Sequence, residues 1–217
     1  MIDFNLYLIT DRQQISRQHA ADSKRSLLTV IEEALKGGVK AVQLREKDLN
    51  AWELFELAQG MRRLTKDYNA KFFINDRVDV AMSVGADGIH LGQNSFSARE
   101  VRKIFHKAII GVSTHSVEEA EIAEKQGADF VTLGPIFYTP SKVGYGEPLG
   151  VALIKKVKRE IKIPVFAIGG IKMDSINEVI QAGADGVAVI SAIIGAEEPG
   201  KEAQEVVREI ADWRIRD

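Results

Sequence analysis

Polar residues with chemical potential gather directly behind short apolar runs in this chain. Arg45, Glu46, Lys47 and Asp48 follow KAVQL, and Asn75, Asp76 and Arg77 follow FFI. Gln93, Asn94 and Ser95 come just after GIHL, which itself carries His90, and Ser113, Thr114 and His115 follow IIGV. Thr139, Ser141 and Lys142 lie beyond FVTL, Gly169-Gly170 beyond VFAI, and Ser191 beyond VAVI. Cations, hydroxyls and backbone N–H groups beside glycine are the donors that an anion needs, most plainly a phosphate. Arg45 and Lys47 are two residues apart, so on an extended segment they point one way and Glu46 the other. Two cations on one side would hold a dianionic leaving group and neutralise the charge developing on it.

Several of these residues have two readings from type and spacing. Asp76 either holds Mg²⁺, which needs only one or two protein carboxylates beside substrate phosphates, or caps the helix that follows. Gly169-Gly170 either lets backbone N–H groups approach a ligand or forms a tight turn. Ser191 either opens a phosphate-binding segment, as is common after strands seven and eight of a barrel, or caps a helix. His90, inside an apolar run, reads as an inner-layer residue satisfied by its neighbours. His115 fits a ligand contact, an acid–base group or a loop cap. The four histidines lack metal-binding spacing, and there is no G-x-S-x-G.

The elements that must position these residues follow from an internal repeat. GGVKAVQLRE (37–46), GADGIHLGQ (85–93), GADFVTLGP (127–135) and GADGVAVIS (183–191) each place a glycine and a short turn before an apolar run. Each follows a stretch of helical period, which is the helix-to-strand junction of an α/β fold. LYLIT, FFIN, IIGVS and PVFAIGG supply strands between them. The pattern predicts strands over about 5–10, 40–44, 72–75, 87–91, 109–112, 129–133, 164–168 and 186–190. Helices are expected over about 24–37, 51–68, 77–84, 97–106, 116–126, 150–160, 173–182 and 200–213. Eight βα units with near-continuous apolar strands imply an α/β fold, a single (β/α)₈ TIM barrel spanning residues 1–217, with its site on the loops after the strands.

Composition narrows the function classes. The chain has 217 residues, 29 Lys+Arg against 31 Asp+Glu, and no cysteine. A net charge of -2 gives no basis for a nucleic-acid partner. Without cysteine there is no disulfide, thiolate metal site or thiol nucleophile. The N-terminus lacks the pattern of a signal peptide and no apolar run approaches membrane-spanning length, so no membrane partner and a cytoplasmic location are expected. Residues 134–150 read as one long loop, of a length that is usually functional or disordered.

VQLREKD (42–48), INDRVDVA (74–81), GADGIHLGQ (85–93), GVSTHS (111–116), LGPIFYTPSK (133–142), AIGGI (167–171) and GADGVAVISAI (183–193) occur in one order over nearly the whole chain. In this the chain resembles the thiamin-phosphate synthase and thiazole tautomerase family, and the synthase branch more closely. The resemblance implies a transferase that joins hydroxymethylpyrimidine diphosphate to a thiazole phosphate, with diphosphate leaving first. It implies that the QLREK segment, Gln43, Leu44, Arg45, Glu46 and Lys47, binds the pyrimidine diphosphate together with Asn75, Ser113 and Lys142. It places Thr139, Pro140, Ser141, Gly170, Ile190 and Ser191 at the thiazole phosphate, and Asp76 on Mg²⁺. Arg45, Lys47, Ser113 and Lys142 would then carry the catalysis. The implied partners are small phosphorylated substrates, and a homo-oligomer is compatible with the pattern.

Two departures stand out. The synthase pattern has a second metal carboxylate where this chain has Ser95, a much weaker Mg²⁺ ligand. The loop also reads T-P-S-K instead of T-x-T-K, which keeps the hydroxyl. Ser95 also resembles the tautomerase branch, where that carboxylate is missing, but the histidine of that branch falls at Pro135 here. The alternatives to a synthase are thus a tautomerase-like enzyme or a phosphate-ligand binder without turnover.

Overall fold

Each glycine-led repeat is the point where the chain leaves a helix and enters a strand. The computed structural model describes residues 2–18, 26–140 and 147–216. The repeats lead into β2 (Ala41–Leu44), β4 (Gly88–Leu91), β6 (Phe130–Leu133) and β8 (Gly186–Val189). Between them run β1 (Leu6–Ile9), β3 (Lys71–Asn75), β5 (Ile109–Thr114) and β7 (Val165–Ile168). All neighbours pair in parallel and β8 pairs back to β1, so the sheet closes in sequence order. This is the expected (β/α)₈ barrel, and every strand lies within two residues of its expected span.

The helices form the outer layer: α1 (Arg12–Gln18), α2 (Leu27–Lys36), α3 (Ala51–Asp67), α4 (Val78–Val84), α5 (Ala98–Ile104), α6 (Val117–Lys125), α7 (Val151–Glu160), α8 (Ile176–Gln181), α9 (Ser191–Ile194) and α10 (Pro199–Arg216). Ser26, Asn50, Ser97 and Ser116 start four of them by accepting a backbone N–H with the side chain. Helix α1 was not expected, because RQQISRQ has a single apolar residue and no helical stripe. The expected helix over 173–182 divides into a 3₁₀ turn, Met173–Ser175, followed by α8.

The aspartate of each GAD repeat explains why the motif recurs. Asp87 Oδ2 accepts the Phe72 backbone N–H at 2.9 Å and Arg62 Nη1 at 2.6 Å. Asp129 Oδ2 accepts the Ile110 N–H and Arg102 Nη2, both at 2.7 Å. Asp185 Oδ2 accepts the Val165 N–H at 2.8 Å and Lys158 Nζ at 2.7 Å. Thus the residue before β4, β6 or β8 fastens the start of the preceding strand to the helix that leads into it. The first repeat has Lys40 at this place, and its Nζ instead donates to the Tyr68 carbonyl at 3.2 Å.

Alternation sorts the strand residues. One side joins the helices in a large apolar core that includes Leu8, Val42, Leu44, Phe72, Ile74, Ile89, Val131 and Val187. The other side faces the barrel interior, where Phe4, Tyr7, Phe73, Phe130 and Phe166 form a stack with most ring centroids 5.2–5.8 Å apart. Glycines on neighbouring strands make the space for these rings. Phe73 pairs with Gly88, Phe130 with Gly111 and Phe166 with Gly186. A Cβ on Gly88 would lie 2.6 Å from Phe73 Cε1, and one on Gly186 equally close to Phe166 Cε1.

The Asp87 clamp is the least exposed of the three, with side-chain exposures of 24% for Asp87 and 17% for Arg62. Asp87→Ala would leave Arg62 and the Phe72 N–H without their acceptor. The expected cost is about 2 kcal/mol, seen as a melting temperature lower by roughly 4–8 °C. Thermal unfolding followed by circular dichroism checks it, and an unchanged melting temperature would remove the clamp from the stability of the barrel.

Candidate functional site

Above the aromatic stack the same inward positions become polar. Gln43 lies in register with Phe73, Asn75 with His90, and Ser113 with Thr132. These residues occupy the C-terminal ends of β2 to β6, where barrel sites form. Gln43 is 1%, His90 3% and Thr132 2% exposed, while Asn75 and Ser113 are half-buried. Gln43 Nε2 donates to the Tyr7 hydroxyl at 3.1 Å. That hydroxyl is 3.5 Å from His90 Nδ1, and His90 Nε2 is 3.0 Å from Ser113 Oγ and 3.4 Å from Thr132 Oγ1. His90 is therefore the satisfied inner-layer residue expected from its apolar run. Tyr7 and Thr132 were not singled out from the sequence, and only the inward parity of their strands would have marked them.

Burial pushes the His90 imidazole down to about 3, with Asp76 opposing the shift and Arg45 adding to it. Burial also raises the Tyr7 phenol well above its usual value, against the Gln43 hydrogen bond. The floor of the site is thus neutral through the working pH range.

Arg45 and Lys47 lie just past the end of β2 and not on the strand itself. Past the strand end, Arg45 is half-buried, Glu46 buried and Lys47 exposed. The Arg45 N–H donates to Thr10 Oγ1 at 2.9 Å. Glu46 faces away and accepts the Arg12 N–H at 3.2 Å and Arg12 Nη1 at 3.0 Å. Arg12 also grips Asp48 through two bonds of 2.7 and 2.6 Å, which hold the Asp48 carboxyl below its usual range. Arg12 so ties the first loop to the second, while among the described residues Arg45 and Lys47 pair with no carboxylate. The expectation that Leu44 and Glu46 meet substrate needs correcting for their side chains. Leu44 is fully buried against the helices, and Glu46 is occupied by Arg12.

Asp76 adopts a left-handed backbone, with φ 59°. It does not cap α4, whose N-cap is Arg77 without a side-chain cap bond. Instead its Oδ1 accepts the Gly92 N–H at 3.2 Å and the Ser95 hydroxyl, and its Oδ2 accepts Asn75 Nδ2 at 2.7 Å. Asp76 and Ser95, the two positions expected at a metal, are therefore in direct contact. No group of three His, Asp or Glu among the described residues could hold a metal unaided. His115 acts as a loop cap: its N–H and Nδ1 both meet Glu119 Oε2, at 2.7 and 3.0 Å.

On the far side, Gly169 and Gly170 have φ of 94° and 67°. Their need for glycine comes from a neighbouring loop. A Cβ on Gly169 would lie 2.6 Å from Pro135 Cα, and one on Gly170 2.5 Å from the Tyr138 carbonyl. What approaches them closely here is the segment after β6, which accounts for the tight-turn reading of the pair. Ser191 is exposed at the first position of α9, whose N-cap is Ile190, so Ser191 is not a cap. Thr139 is half-buried and Pro140 exposed on the loop after β6. Ser141 and Lys142 lie outside the described residues. Two exposed aromatic side chains on these loops, Phe96 and Tyr138, were also not anticipated.

The depressed His90 value predicts a pH dependence. The unfolded chain binds a proton at this imidazole below about 6.5, and the folded chain does so only near 3. Stability contributed by the neutral imidazole is thus complete at pH 8 and falls as pH drops through 6.5. At pH 5 the loss from this group is about 2 kcal/mol. Urea unfolding at pH 8 and pH 5 should show it, and His90→Gln should lessen the difference by that amount.

The family model described as thiamine monophosphate synthase matches residues 6–193. A relative from Geobacter sulfurreducens is 52% identical over 204 residues, covering 94% of this chain and 92% of its own length. The thiamine-phosphate synthase of Halalkalibacterium halodurans is 46% identical over 199 residues, 91% of each chain. Among solved structures, the thiamine phosphate pyrophosphorylase of Pyrococcus furiosus superposes with a TM-score of 0.86 at 38% identity, over 97% of this chain and 96% of that one. With a matched model spanning all eight strands, and relatives this similar along nearly their full length, the chain belongs to the thiamine monophosphate synthase family.

Proposed function

We propose that this barrel joins hydroxymethylpyrimidine diphosphate to hydroxyethylthiazole phosphate, giving thiamin phosphate and diphosphate. The observation that carries the proposal is the pair of cations, Arg45 and Lys47, that pair with no carboxylate among the described residues, over a floor kept neutral by burial. The reaction breaks the bond between the pyrimidine methylene and the diphosphate oxygen, and the electron pair leaves with diphosphate. The thiazole nitrogen lone pair then forms the new C–N bond. Neither step moves a proton, so the site needs no general base, and His90 is not available as a proton acceptor. Arg45, Lys47 and Lys142 receive the leaving diphosphate, and most of the rate comes from positioning and electrostatics. Gln43, Asn75 and Ser113 orient the pyrimidine. Thr139, Ser141, Gly170, Ile190 and Ser191 hold the thiazole phosphate.

The residues at the mouth fit Mg²⁺. Asp76 supplies one hard carboxylate and Ser95 a hydroxyl beside it, and such an ion completes its shell with phosphate oxygens and water. When bound, it adds positive charge at the leaving diphosphate. No helix among the described residues is long and apolar enough to cross a membrane.

The decisive experiment incubates the purified protein with both substrates, with and without Mg²⁺, and follows diphosphate release and thiamin phosphate together. Metal-dependent formation of both is the expected result. Pyrimidine diphosphate that binds without release would overturn the synthase assignment. Two variants sharpen it. Lys142→Ala should lower turnover at least a hundredfold while changing the KM for thiazole phosphate only about twofold. Ser95→Asp should lower the Mg²⁺ concentration for half-activity roughly tenfold. If that concentration does not move, Ser95 does not face the ion.

A further inference from the structure

The buried Tyr7 and His90 are not explained by phosphate or metal chemistry, yet they link two residues of the mouth. Gln43 Nε2 donates to the Tyr7 hydroxyl. An amide nitrogen has no lone pair to offer, so the Tyr7 proton must go elsewhere. The acceptor near it is His90 Nδ1, at 3.5 Å. A ring nitrogen that accepts belongs to the tautomer with its proton on the other nitrogen, Nε2. Nε2–H then donates to Ser113 Oγ at 3.0 Å. With its oxygen accepting there, the Ser113 hydroxyl is left to donate into the mouth. Gln43 Oε1 takes no donor from the described residues and is left as an acceptor.

We propose that Tyr7 and His90 are positioning residues that give the mouth a fixed polarity: an acceptor at Gln43 Oε1 and a donor at Ser113 Oγ–H. Reversal of the chain would turn the Gln43 carboxamide and exchange the two roles. The fixed pattern offers an aminopyrimidine one acceptor for its amino group and one donor for a ring nitrogen. This use of the relay rests on the synthase function proposed above. The aromatic stack and the Phe130–Gly111 pairing hold the Tyr7 and His90 rings at the height the relay needs. A Cβ on Gly111 would lie 2.6 Å from His90 Nδ1.

The test has two arms. In the first, the full chain is labelled with ¹⁵N-histidine, and the His90 signals are assigned by their loss in His90→Gln. The expected neutral tautomer carries its proton on Nε2, and this preference should weaken in Tyr7→Phe. A proton on Nδ1 in the wild type would overturn the relay whether or not the protein turns over. In the second, steady-state kinetics compare the two substrates. Tyr7→Phe keeps the ring in the stack and should raise the KM for the pyrimidine diphosphate about tenfold, with the KM for thiazole phosphate unchanged. It should also lose most of the preference over an analogue in which the ring nitrogen beside the amino-bearing carbon is C–H. His90→Gln, which can still donate toward Ser113, should retain most of the preference, and His90→Leu should not. Equal effects on both KM values, or an undiminished preference in Tyr7→Phe and His90→Leu, would reduce the pair to packing. Should the wild type bind these substrates without turnover, the synthase assignment fails, and calorimetric affinities for the same pyrimidine pair decide the relay.

Discussion

The interior of a closed eight-stranded barrel has room for one column of side chains, and how that column is filled governs everything above it. Here the lower part is taken by Phe4, Tyr7, Phe73, Phe130 and Phe166. The rings fit because Gly88, Gly111 and Gly186 sit beside the strand phenylalanines on adjacent strands. Side chains in both places would overfill the column, and small residues in both would leave a cavity. The large–small pairing thus sets a dense floor. The polar residues Gln43, His90, Ser113 and Thr132 rest on it, linked through the Tyr7 hydroxyl and the His90 ring. The low polarity of that floor, more than any nearby charge, keeps His90 neutral.

A neutral floor concentrates the electrostatics in the rim. Its charged side chains lie past the strand ends, beyond the hydrogen bonds of the sheet, and need an independent restraint. Arg12 provides one by joining Glu46 and Asp48, so that neither of these carboxylates pairs with the cations between and beside them, Arg45 and Lys47. On the adjacent strand end, Asp76 is fixed by three donors, from Gly92, Ser95 and Asn75. The outcome is a mouth with cations on one loop and a single tethered carboxylate on the next. This division suits a reaction in which an anion departs and no proton moves.

The fold was legible because its repeat has a structural cause. The GAD aspartates clamp the base of the barrel at three even-numbered junctions, so glycine, aspartate and an apolar run recur together. The separate direction of Glu46, which Arg12 holds, was also legible from alternation along the segment. What the sequence did not disclose depends on neighbours distant along the chain. Helix α1 lacks an apolar stripe, and the Arg12 at its start bonds to the loop after β2. The left-handed backbone of Asp76, which turns it away from capping α4, has no signature in residue type, because aspartate is also a good cap. Gly169-Gly170 was found correctly as a constrained pair, but the constraint comes from residues 135–138, more than thirty positions earlier.

Ser95 shows how a family departure can be absorbed by local geometry. A second carboxylate beside Asp76 would bring two negative charges together, a repulsion that a bound cation relieves. With serine there, the hydroxyl donates to Asp76 Oδ1, and the site is electrostatically relaxed before any ion arrives. A cation held there, as proposed, would gain less from the protein and relatively more from the diphosphate. Metal affinity in this chain should therefore depend strongly on whether the diphosphate is bound. That coupling follows from a single carboxylate, and it does not require the remainder of the mouth to differ from its relatives.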